Sequence, residues 1–261
     1  MVAIVTGASS GIGRCTARAL RERGCRVFDL SRRHIPQEGV THIFADVTDE
    51  NSVNAAVERI LAEAGSIDVV VNCAGFGISG AVESISAGQA WRQMDVNFFG
   101  MVRMNRAVLP AMREAGRGRI VNISSVAAPV PIPFQSFYSA SKAAVNSYTM
   151  SLANEVKPFG ISVTAVMPGD IASGFTDARD RVDTLDEVYG GRIGRSVARM
   201  ERDERGGMSP ERVGRYIADI ALKKRVKPLY TIGFSYKCAC LLMKLLPCGL
   251  ANRIIGCLYA K

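Results

Sequence analysis

The sequence predicts an α/β fold, a single doubly wound domain in which helices flank a seven-stranded, mostly parallel sheet. Two features of its 261 residues predict this fold. Apolar runs of strand length alternate with longer stretches of helical periodicity, as in chains of β-α-β units. A glycine-rich turn directly follows the first apolar run. No polar linker divides the chain, so we assign residues 1–261 to one domain.

Local residues support several boundaries of the predicted elements. The apolar run at 2–5 leads into the glycine turn, and Gly24 closes the helix behind it. Pro158 and Gly160 end the fourth helix. The Ser-Pro-Glu sequence at 209–211 opens the last helix with an N-cap, a first-turn proline and an acid. The predicted strands span 2–6, 26–31, 41–45, 67–72, 118–124, 161–167 and 228–232. The predicted helices span 11–24, 50–64, 88–115, 136–157 and 210–224.

Two segments do not fit this alternation. Residues 170–208 are rich in Arg, Asp and Gly, and long insertions of this kind are usually mobile lids or disordered loops. We assign them as a substrate lid or loop. Residues 234–261 form an apolar C-terminal extension that Lys244 and Arg253 interrupt. This extension can line a substrate cavity, pair with another subunit or lie on a membrane surface.

Composition and charge argue against several classes of function. The formal charge is +9, but Lys and Arg are scattered rather than clustered with aromatic residues, so we expect no nucleic-acid binding. The seven cysteines have no metal-ligand spacing with the two histidines, so we expect no metal site and a reducing, cytoplasmic location. We expect no signal peptide, because the first residues already form a strand, and no apolar run reaches the ~20 residues of a membrane span.

The glycine-rich turn at residues 6–13, Thr-Gly-Ala-Ser-Ser-Gly-Ile-Gly, is typical of a dinucleotide-binding site. It connects a buried strand to a helix N-terminus, where free amides and the helix dipole attract phosphate. In this interpretation Gly7 permits the tight turn, Gly11 lets a pyrophosphate approach the backbone, and Gly13 lets helix and strand pack closely.

Residues at the end of the second strand determine whether such a site prefers NADP(H) or NAD(H). An acidic side chain there binds ribose hydroxyls and repels a 2′-phosphate, and Asp29 is a candidate for that role. Counting from Gly13, however, places the tip of the strand at Ser31 and Arg32, followed by Arg33. A serine followed by two arginines favours phosphate, so we expect NADP(H) rather than NAD(H).

Tyr138 and Lys142 lie four residues apart in a Tyr-Ser-Ala-Ser-Lys sequence, on one face of a predicted helix. An ammonium beside a phenol favours the phenolate and lowers a pKa that starts near ~10, which suits general acid/base catalysis. The spacing alone also fits two solvated surface residues. The catalytic interpretation therefore depends on the glycine turn and on the strand at 120–123, which ends in the hydroxyls of Ser124 and Ser125.

Together these motifs identify the chain, from Thr6 to about Gly169, as a member of the short-chain dehydrogenase/reductase family, and it resembles the hydroxysteroid and retinol dehydrogenase-like branch. The resemblance implies a Rossmann-like domain. It also implies a catalytic set of four residues, namely Asn97, Ser125, Tyr138 and Lys142.

The resemblance implies a role for each member of this set. Ser125, thirteen residues before the tyrosine, binds the substrate oxygen, and Tyr138 moves the hydroxyl proton. Lys142 holds the nicotinamide ribose and lowers the tyrosine pKa. Asn97 anchors a water molecule that connects Lys142 to solvent.

The same resemblance implies the residues that bind the coenzyme. They are Thr6, Gly7, Ser9, Ser10, Gly11, Ile12, Gly13, Ser31, Arg32, Arg33, Asp46, Val47, Asn72, Ala74, Gly75, Tyr138, Lys142, Pro168, Gly169 and Ile171. Within this set, Asp46 and Val47 contact the adenine, and Pro168 and Gly169 contact the nicotinamide. Residues 72–75 read Asn-Cys-Ala-Gly where the family has Asn-Asn-Ala-Gly.

The residues around the expected reacting centre are apolar. The segment at 126–134 is stiffened by three prolines, and with Phe76 it predicts a pocket for a lipophilic small molecule, although such residues also fit a simple cover for the sheet. We expect an NADP(H)-dependent oxidoreductase that interconverts a secondary hydroxyl and a ketone, with a hydroxysteroid or bile acid as substrate. The alternatives are a broad reductase of small aldehydes and ketones and a non-catalytic NADP(H)-sensing protein. The complete catalytic set argues against the sensor.

The resemblance also implies assembly. It predicts a homodimer or homotetramer built through the helices at 88–115 and 136–157. The extension at 234–261 offers peripheral membrane contact as a further interaction.

Overall fold

The computed structural model describes residues 1–260. Its strands are β1 (Val2–Thr6), β2 (Arg26–Ser31), β3 (Val40–Phe44), β4 (Val69–Asn72), β5 (Ile78–Gly80), β6 (Gly118–Ile123), β7 (Ile161–Met167), β8 (Asp180–Val182) and β9 (Leu229–Thr231). Its helices are α1 (Gly11–Glu22), α2 (Glu50–Ala64), α3 (Ala87–Met94), α4 (Gly100–Glu114), α5 (Ser136–Val156), α6 (Arg192–Arg205), α7 (Pro210–Leu222), α8 (Phe234–Leu245) and α9 (Cys248–Tyr259).

Seven strands form the central sheet in the order β3-β2-β1-β4-β6-β7-β9, and each neighbouring pair is parallel. The chain winds outward from β1 to β3, returns to β4 beside β1, and winds outward in the other direction. The carboxyl ends of β1 and β4 therefore meet where the winding reverses, which is where open α/β sheets bind their ligands. This topology confirms the predicted doubly wound, seven-stranded domain.

Alternating side chains on the buried strands build a core on each face of the sheet. On β2, Phe28 and Leu30 point towards the face that α2, α4 and α5 cover, while Val27 points towards the face that α1 and α7 cover. On β1, Ile4 and Ala3 divide in the same way. The strands are hydrophobic almost without interruption because both of their faces are buried.

The helix that the sequence predicts over 88–115 is interrupted in the structure. A π-helical turn at Asp95–Phe99 joins α3 to α4. Such turns are rare and shift side chains out of the register of a regular helix. Asn97 lies inside this turn and is 2% exposed. Hydrophobic periodicity does not distinguish a π turn from an α-helical one, so the sequence did not predict it.

The segment expected to be a lid or loop contains regular structure. Strand β8 pairs in parallel with β5 in a separate two-stranded sheet. Helix α6 buries Ile193, Val197 and Met200. These side chains join Ala81 and Phe134 in what we call the third cluster, which is separate from the two main cores. The spacing of the three apolar residues was the available signal, and the surrounding arginines obscured it.

The C-terminal extension forms α8 and α9, which the sequence analysis did not predict as helices. We call them the C-terminal helical pair. Helix α9 packs against α6. Within residues 1–260, every helix is either too short or too polar to cross a bilayer.

Candidate active site

The glycine-rich turn after β1 packs against the segment that follows β4. Gly7 has a φ of +67°, and a Cβ on it would lie 3.0 Å from the Ala74 nitrogen. A Cβ on Gly13 would lie 2.5 Å from the Gly7 oxygen, so neither position accepts a side chain. The Thr6 hydroxyl accepts hydrogen bonds from the amides of Cys73 (3.1 Å) and Ala74 (3.2 Å). These contacts fix the turn at the carboxyl ends of β1 and β4.

The turn leads into α1, whose first amides have no side-chain cap. Ser10 is the N-cap, its side chain makes no capping hydrogen bond, and the first turn of α1 contains no acid. Uncapped amides at the positive end of a helix favour an anion. Ser9 is half-buried, Gly11 has a φ of +52°, and Ile12 packs against the core beneath α1. The turn therefore fits the diphosphate of a dinucleotide.

The carboxylate of Asp29 is enclosed rather than open to a ligand. The residue is 1% exposed, and its Oδ2 accepts a hydrogen bond from the Ser31 hydroxyl (3.0 Å) and lies 3.1 Å from Nδ1 of His42. Arg32 and Arg33, just beyond the strand, are exposed. The open end of β2 therefore presents arginines, and Asp29 is withdrawn from it.

Asp46 and Val47 are held beside this arginine-bearing end. Nη1 of Arg32 lies 3.9 Å from Oδ2 of Asp46. Oδ1 of Asp46 accepts hydrogen bonds from the amide (2.9 Å) and the hydroxyl (2.8 Å) of Thr48. Burial favours the neutral acid, but these hydrogen bonds together with the charges of Arg32 and Arg103 outweigh it and keep the pKa of Asp46 below its ordinary value. The Val47 carbonyl accepts a hydrogen bond from Arg103 (3.1 Å).

The Asn72 side chain lies inside the protein, so the predicted contact of this residue with the coenzyme has to come from its backbone. Its Nδ2 donates to Oδ1 of Asn105 (2.8 Å) and to Oδ1 of Asn122 (2.9 Å), and Asn122 in turn donates to the Thr149 hydroxyl (3.0 Å). This network ties β4 to β6, α4 and α5. The neighbouring Cys73 stays a neutral thiol, because burial raises its pKa to about 12.

The two hydroxyls after β6 have different partners. Ser124 is buried and donates to the Lys142 carbonyl (3.1 Å), so it braces α5. Ser125 is half-buried, its oxygen accepts a hydrogen bond from the Ala127 amide (3.1 Å), and it lies close enough to the Tyr138 hydroxyl to lower the pKa of that phenol. The structure therefore brings Ser125, and not Ser124, to the tyrosine.

Tyr138 has a pKa that differs in direction from the expectation. Burial raises it to about 12, although the hydrogen bond with Ser125 acts in the opposite direction. Lys142 Nζ donates to the Ile123 carbonyl (2.9 Å) and lies 5.7 Å from the centroid of the Tyr138 ring, and burial lowers the pKa of Lys142 to about 8. The expected lowering of the tyrosine pKa by Lys142 is therefore wrong for this arrangement, in which burial dominates. At neutral pH the phenol is protonated.

The π-helical turn aims Asn97 at the segment after β4. Its amide group donates to the Phe76 carbonyl (2.9 Å) and accepts from the Phe76 amide (2.9 Å). It also donates to the Ser141 hydroxyl at 3.2 Å. Gly75 lies between Asn97 and Lys142, since a Cβ on it would be 3.1 Å from the Asn97 oxygen and 3.6 Å from Lys142 Nζ. All four residues of the predicted catalytic set therefore meet at one edge of the sheet.

Comparisons with known proteins agree with this geometry. A family model described as short chain dehydrogenase matches residues 1–183. The 3-ketodihydrosphingosine reductase of Bacteroides thetaiotaomicron is 44% identical over 243 residues, which cover 90% of each chain. The chain belongs to the short-chain dehydrogenase family.

Solved structures of this family superpose on the chain over most of its length. A short-chain dehydrogenase from Streptomyces avermitilis gives a TM-score of 0.84 at 30% identity, covering 94% of this chain and 91% of that one. The aldohexose dehydrogenase of Thermoplasma acidophilum gives a TM-score of 0.76 at 32% identity, covering 88% and 91%. The protein is therefore an oxidoreductase, and the family uses NAD(P)(H), which the uncapped glycine turn fits.

In this short-chain dehydrogenase, the segment predicted to contact the nicotinamide is fixed by its neighbours. The Pro168 carbonyl accepts a hydrogen bond from the Val126 amide (3.0 Å). Gly169 lies against the ring of Tyr236, with no room for a Cβ. Ile171 packs against the core beneath α1 and α7.

Four residues of the segment after β7 lie on the Tyr138 side of the site, and the sequence analysis missed them. The ring centroids of Phe175 and Tyr138 are 5.7 Å apart. The Arg179 side chain is fully buried, forms an ion pair with Glu204 and lies 5.8 Å from the Phe175 ring centroid. Glu204 also accepts a hydrogen bond from the Thr176 hydroxyl (2.6 Å). The only signal in the sequence was the density of Arg and acidic residues in this segment.

Proposed function

We propose that this enzyme is an NADP(H)-dependent reductase of a ketone on a long-chain lipid, with a 3-keto sphingoid base as the leading substrate. The observation that carries the proposal is the similarity, over 90% of both chains, to a 3-ketodihydrosphingosine reductase. The relatives reported above include no hydroxysteroid enzyme, so a hydroxysteroid or bile acid becomes the competing substrate rather than the first.

The third cluster supports a lipophilic substrate. Phe134 comes from the proline-rich segment after β6, and its ring centroid is 5.9 Å from that of Tyr189. Phe134 has a φ of +60°, the one positive φ of a non-glycine residue within residues 1–260. Strained backbone of this kind persists where the surroundings fix it and is common at ligand sites. Ile132 packs against the same cluster, seven residues before Ser139 in α5. Apolar side chains therefore continue from the proline-rich segment that follows Ser125 to helix α6.

The positions of the four catalytic residues support ketone reduction. A bound nicotinamide coenzyme supplies the hydride. Because Tyr138 is a phenol at neutral pH, it can donate the proton that converts the forming alkoxide to a hydroxyl. Ser125 holds the substrate oxygen beside that phenol. Lys142, with a pKa of about 8, remains an ammonium at neutral pH. Its charge lies 5.7 Å from the Tyr138 ring centroid, where it offsets part of the cost of a buried phenolate without overcoming the effect of burial.

The end of β2 supports NADP(H). The Arg32 side chain is 71% exposed and forms only a long ion pair with Asp46, at 3.9 Å, so its guanidinium is accessible to a phosphate. Asp29, the residue that would favour NAD(H), is buried against Ser31 and His42. A 2′-phosphate therefore meets arginine at this edge and no exposed carboxylate from β2.

Initial rates of nicotinamide absorbance change test this function. The panel is 3-ketodihydrosphingosine, a set of ketosteroids and small aldehydes, each with NADPH and NADH. We expect the highest kcat/KM with the sphingoid ketone and NADPH. A higher value for a ketosteroid or a small aldehyde would overturn the substrate, and a preference for NADH would overturn the coenzyme.

Matched tyrosine variants separate chemistry from folding. We expect Tyr138→Phe to lower kcat by at least about a hundredfold, the usual contribution of a general acid, while NADPH still binds. Tyr230→Phe is the control, because its hydroxyl only accepts a hydrogen bond from the Lys227 amide (3.1 Å). Equal rates in the two variants would contradict the role of Tyr138.

A further inference from the structure

The C-terminal helical pair carries a concentrated apolar surface. Of the fourteen large hydrophobic residues that are exposed within residues 1–260, six lie in these two helices, and α8 has no buried residue at all. The six are Phe234, Leu241, Leu242, Leu245, Leu250 and Leu258. Isolated exposed leucines are common on soluble proteins, but a contiguous group marks an interaction site.

The spacing of these side chains places them on one side of each helix. In α8, Phe234, Leu241 and Leu245 recur at helical spacing and share a face. Tyr236 lies on the other side of α8, where its hydroxyl donates to Oδ2 of Asp170 (2.6 Å) and its ring packs against Gly169. One face of α8 therefore attaches to the active-site segment, and the opposite face is left without a partner among the described residues.

Charge indicates what this face meets. From Phe234 to the end, the chain contains Lys237, Lys244, Arg253 and Lys261 and no Asp or Glu. Lys237, Lys244 and Arg253 are exposed beside the apolar residues. An apolar face bordered only by basic side chains complements a bilayer with anionic headgroups. A second copy of the same face would oppose positive charge with positive charge, so self-association is disfavoured.

Helix α9 places this surface next to the substrate side of the site. Nε of Arg192 in α6 donates to the Ala260 carbonyl (2.6 Å), and the Arg199 guanidinium lies 5.2 Å from the Tyr259 ring centroid. Tyr259 and Ala260 pack against the third cluster. The same two helices thus contact both the apolar lining of the site and, through α8, Gly169.

We propose that the C-terminal helical pair lies on an anionic lipid bilayer, so that the reductase takes its long-chain substrate from the membrane surface. The binding half of this proposal stands on the exposed leucines and the one-signed charge. The delivery half rests on the proposed function.

Vesicle co-sedimentation, without substrate or coenzyme, tests the binding half. The full chain is mixed with vesicles of phosphatidylcholine alone or of phosphatidylcholine with phosphatidylglycerol, at low and at high salt. We expect sedimentation with the anionic vesicles that weakens at high salt, because screening reduces the attraction. A parent protein that stays in the supernatant under all conditions would overturn the proposal.

Two variants identify the surface. The double variant Leu241→Glu/Leu245→Glu should lower vesicle binding by about tenfold or more, since it removes two apolar side chains from the contact. The double variant Lys237→Glu/Lys244→Glu should abolish the preference for anionic vesicles even if the first variant fails to fold. The control is Val82→Glu, which places the same acid on an aliphatic residue that is 56% exposed elsewhere. Equal loss of binding in the control would contradict the assignment.

Two further results distinguish membrane binding from self-association, and membrane binding from the proposed function. If light scattering without lipid shows a dimer that Leu241→Glu/Leu245→Glu splits, the face binds a second copy and the proposal fails. If vesicle binding occurs but the sphingoid ketone is not reduced, the proposed function fails and the membrane surface stands.

Discussion

Lys142 holds its ammonium almost out of water, with one carbonyl as a direct hydrogen-bond partner. A lysine in this position is costly for folding, because burial lowers its pKa from 10.5 to about 8. Between these two values the unfolded chain carries the proton and the folded chain does not. The free energy of unfolding therefore rises with pH across this window, by about 3 kcal/mol from this one group.

The variant Lys142→Met tests this linkage at the residue scale. Methionine keeps most of the volume and does not titrate, so the stability of the variant relative to the parent should fall by about 3 kcal/mol between pH 8 and pH 10.5. Urea unfolding of both proteins at several pH values measures the difference. Parallel stability curves for the two proteins would show that Lys142 is not buried as described. The variant should also be inactive. Lys142 would then be a residue that lowers the stability of the fold but is needed for activity.

Motifs made the candidate catalytic residues recognisable, because family spacing picks out Tyr138, Lys142 and Ser125 without any knowledge of packing. The environment of those residues was not predictable in the same way. Asn72 is bonded to partners in α4 and β6, which are distant in sequence. The pKa of Tyr138 is likewise set by burial beneath residues such as Phe175, which follow it by many positions in the chain.

At the scale of elements, α6 is held to the site by an ion pair that is largely buried. The Arg179 side chain has no exposed surface, and Glu204 of α6 is its ion-pair partner. Removing one charge from such a pair leaves the other buried and uncompensated. The loss in the free energy of unfolding is then about 3–5 kcal/mol. The pair Arg205–Asp177 in the same segment is solvated on both sides and gives a natural comparison.

Glu204→Gln should therefore loosen the segment, while Asp177→Asn should not. We expect the amides of α6 to exchange hydrogen at least about tenfold faster in Glu204→Gln, because the third cluster is separate from the main cores and can open alone. Asp177→Asn should change exchange little, as exposed pairs contribute ~1 kcal/mol or less. Hydrogen exchange followed by mass spectrometry measures both. Similar exchange in the two variants would mean that the buried pair does not secure α6.

Helix α6 also shows where pattern analysis reaches its limit. Its apolar residues have helical spacing, but Arg and acidic residues dominate the segment. Several of these charged residues form ion pairs with residues distant in sequence, and such pairs exist only in the folded chain. The main strands and helices were predictable because their hydrophobic periodicity is strong and both faces of the sheet are covered. The π-helical turn was not, because its signal is the hydrogen-bonding of the backbone rather than the side-chain pattern.

At the scale of the whole molecule, the reversal of winding between β1 and β4 separates two groups of residues. Arg32 follows β2 on one side, and Phe175 follows β7 on the other. Substitutions at sites without shared partners usually have additive effects on free energy. The effects of Arg32 on coenzyme choice and of Phe175 on the ketone should therefore multiply.

The double variant Arg32→Ala/Phe175→Ala tests this independence. Arg32→Ala alone should lower the NADPH-over-NADH ratio of kcat/KM by about tenfold to a hundredfold, the value of a hydrogen bond to a charged group. Arg59→Ala, an exposed arginine on α2, should leave that ratio unchanged. The double variant should combine the two single losses in kcat/KM to within about twofold. A larger deviation would show that the two halves of the site communicate.

The predicted homodimer or homotetramer through the helices at 88–115 and 136–157 stays a prediction, as does the cytoplasmic location. The first depends on partner subunits and the second on the cellular compartment, and neither is part of a single chain. The fold itself depends on contacts within the chain, and for that reason its sequence predicted it well.

The distribution of cysteines has a practical consequence for chemical labelling. The exposed free thiols within residues 1–260 are Cys238, Cys248 and Cys257, all in the C-terminal helical pair. Cys73, beside the glycine turn, is held as a neutral thiol by a pKa of about 12 and reacts slowly, since the thiolate is the nucleophile. A maleimide dye should therefore attach first to the C-terminal helices, and the unmodified protein carries its own reporter positions at the surface proposed to contact lipid.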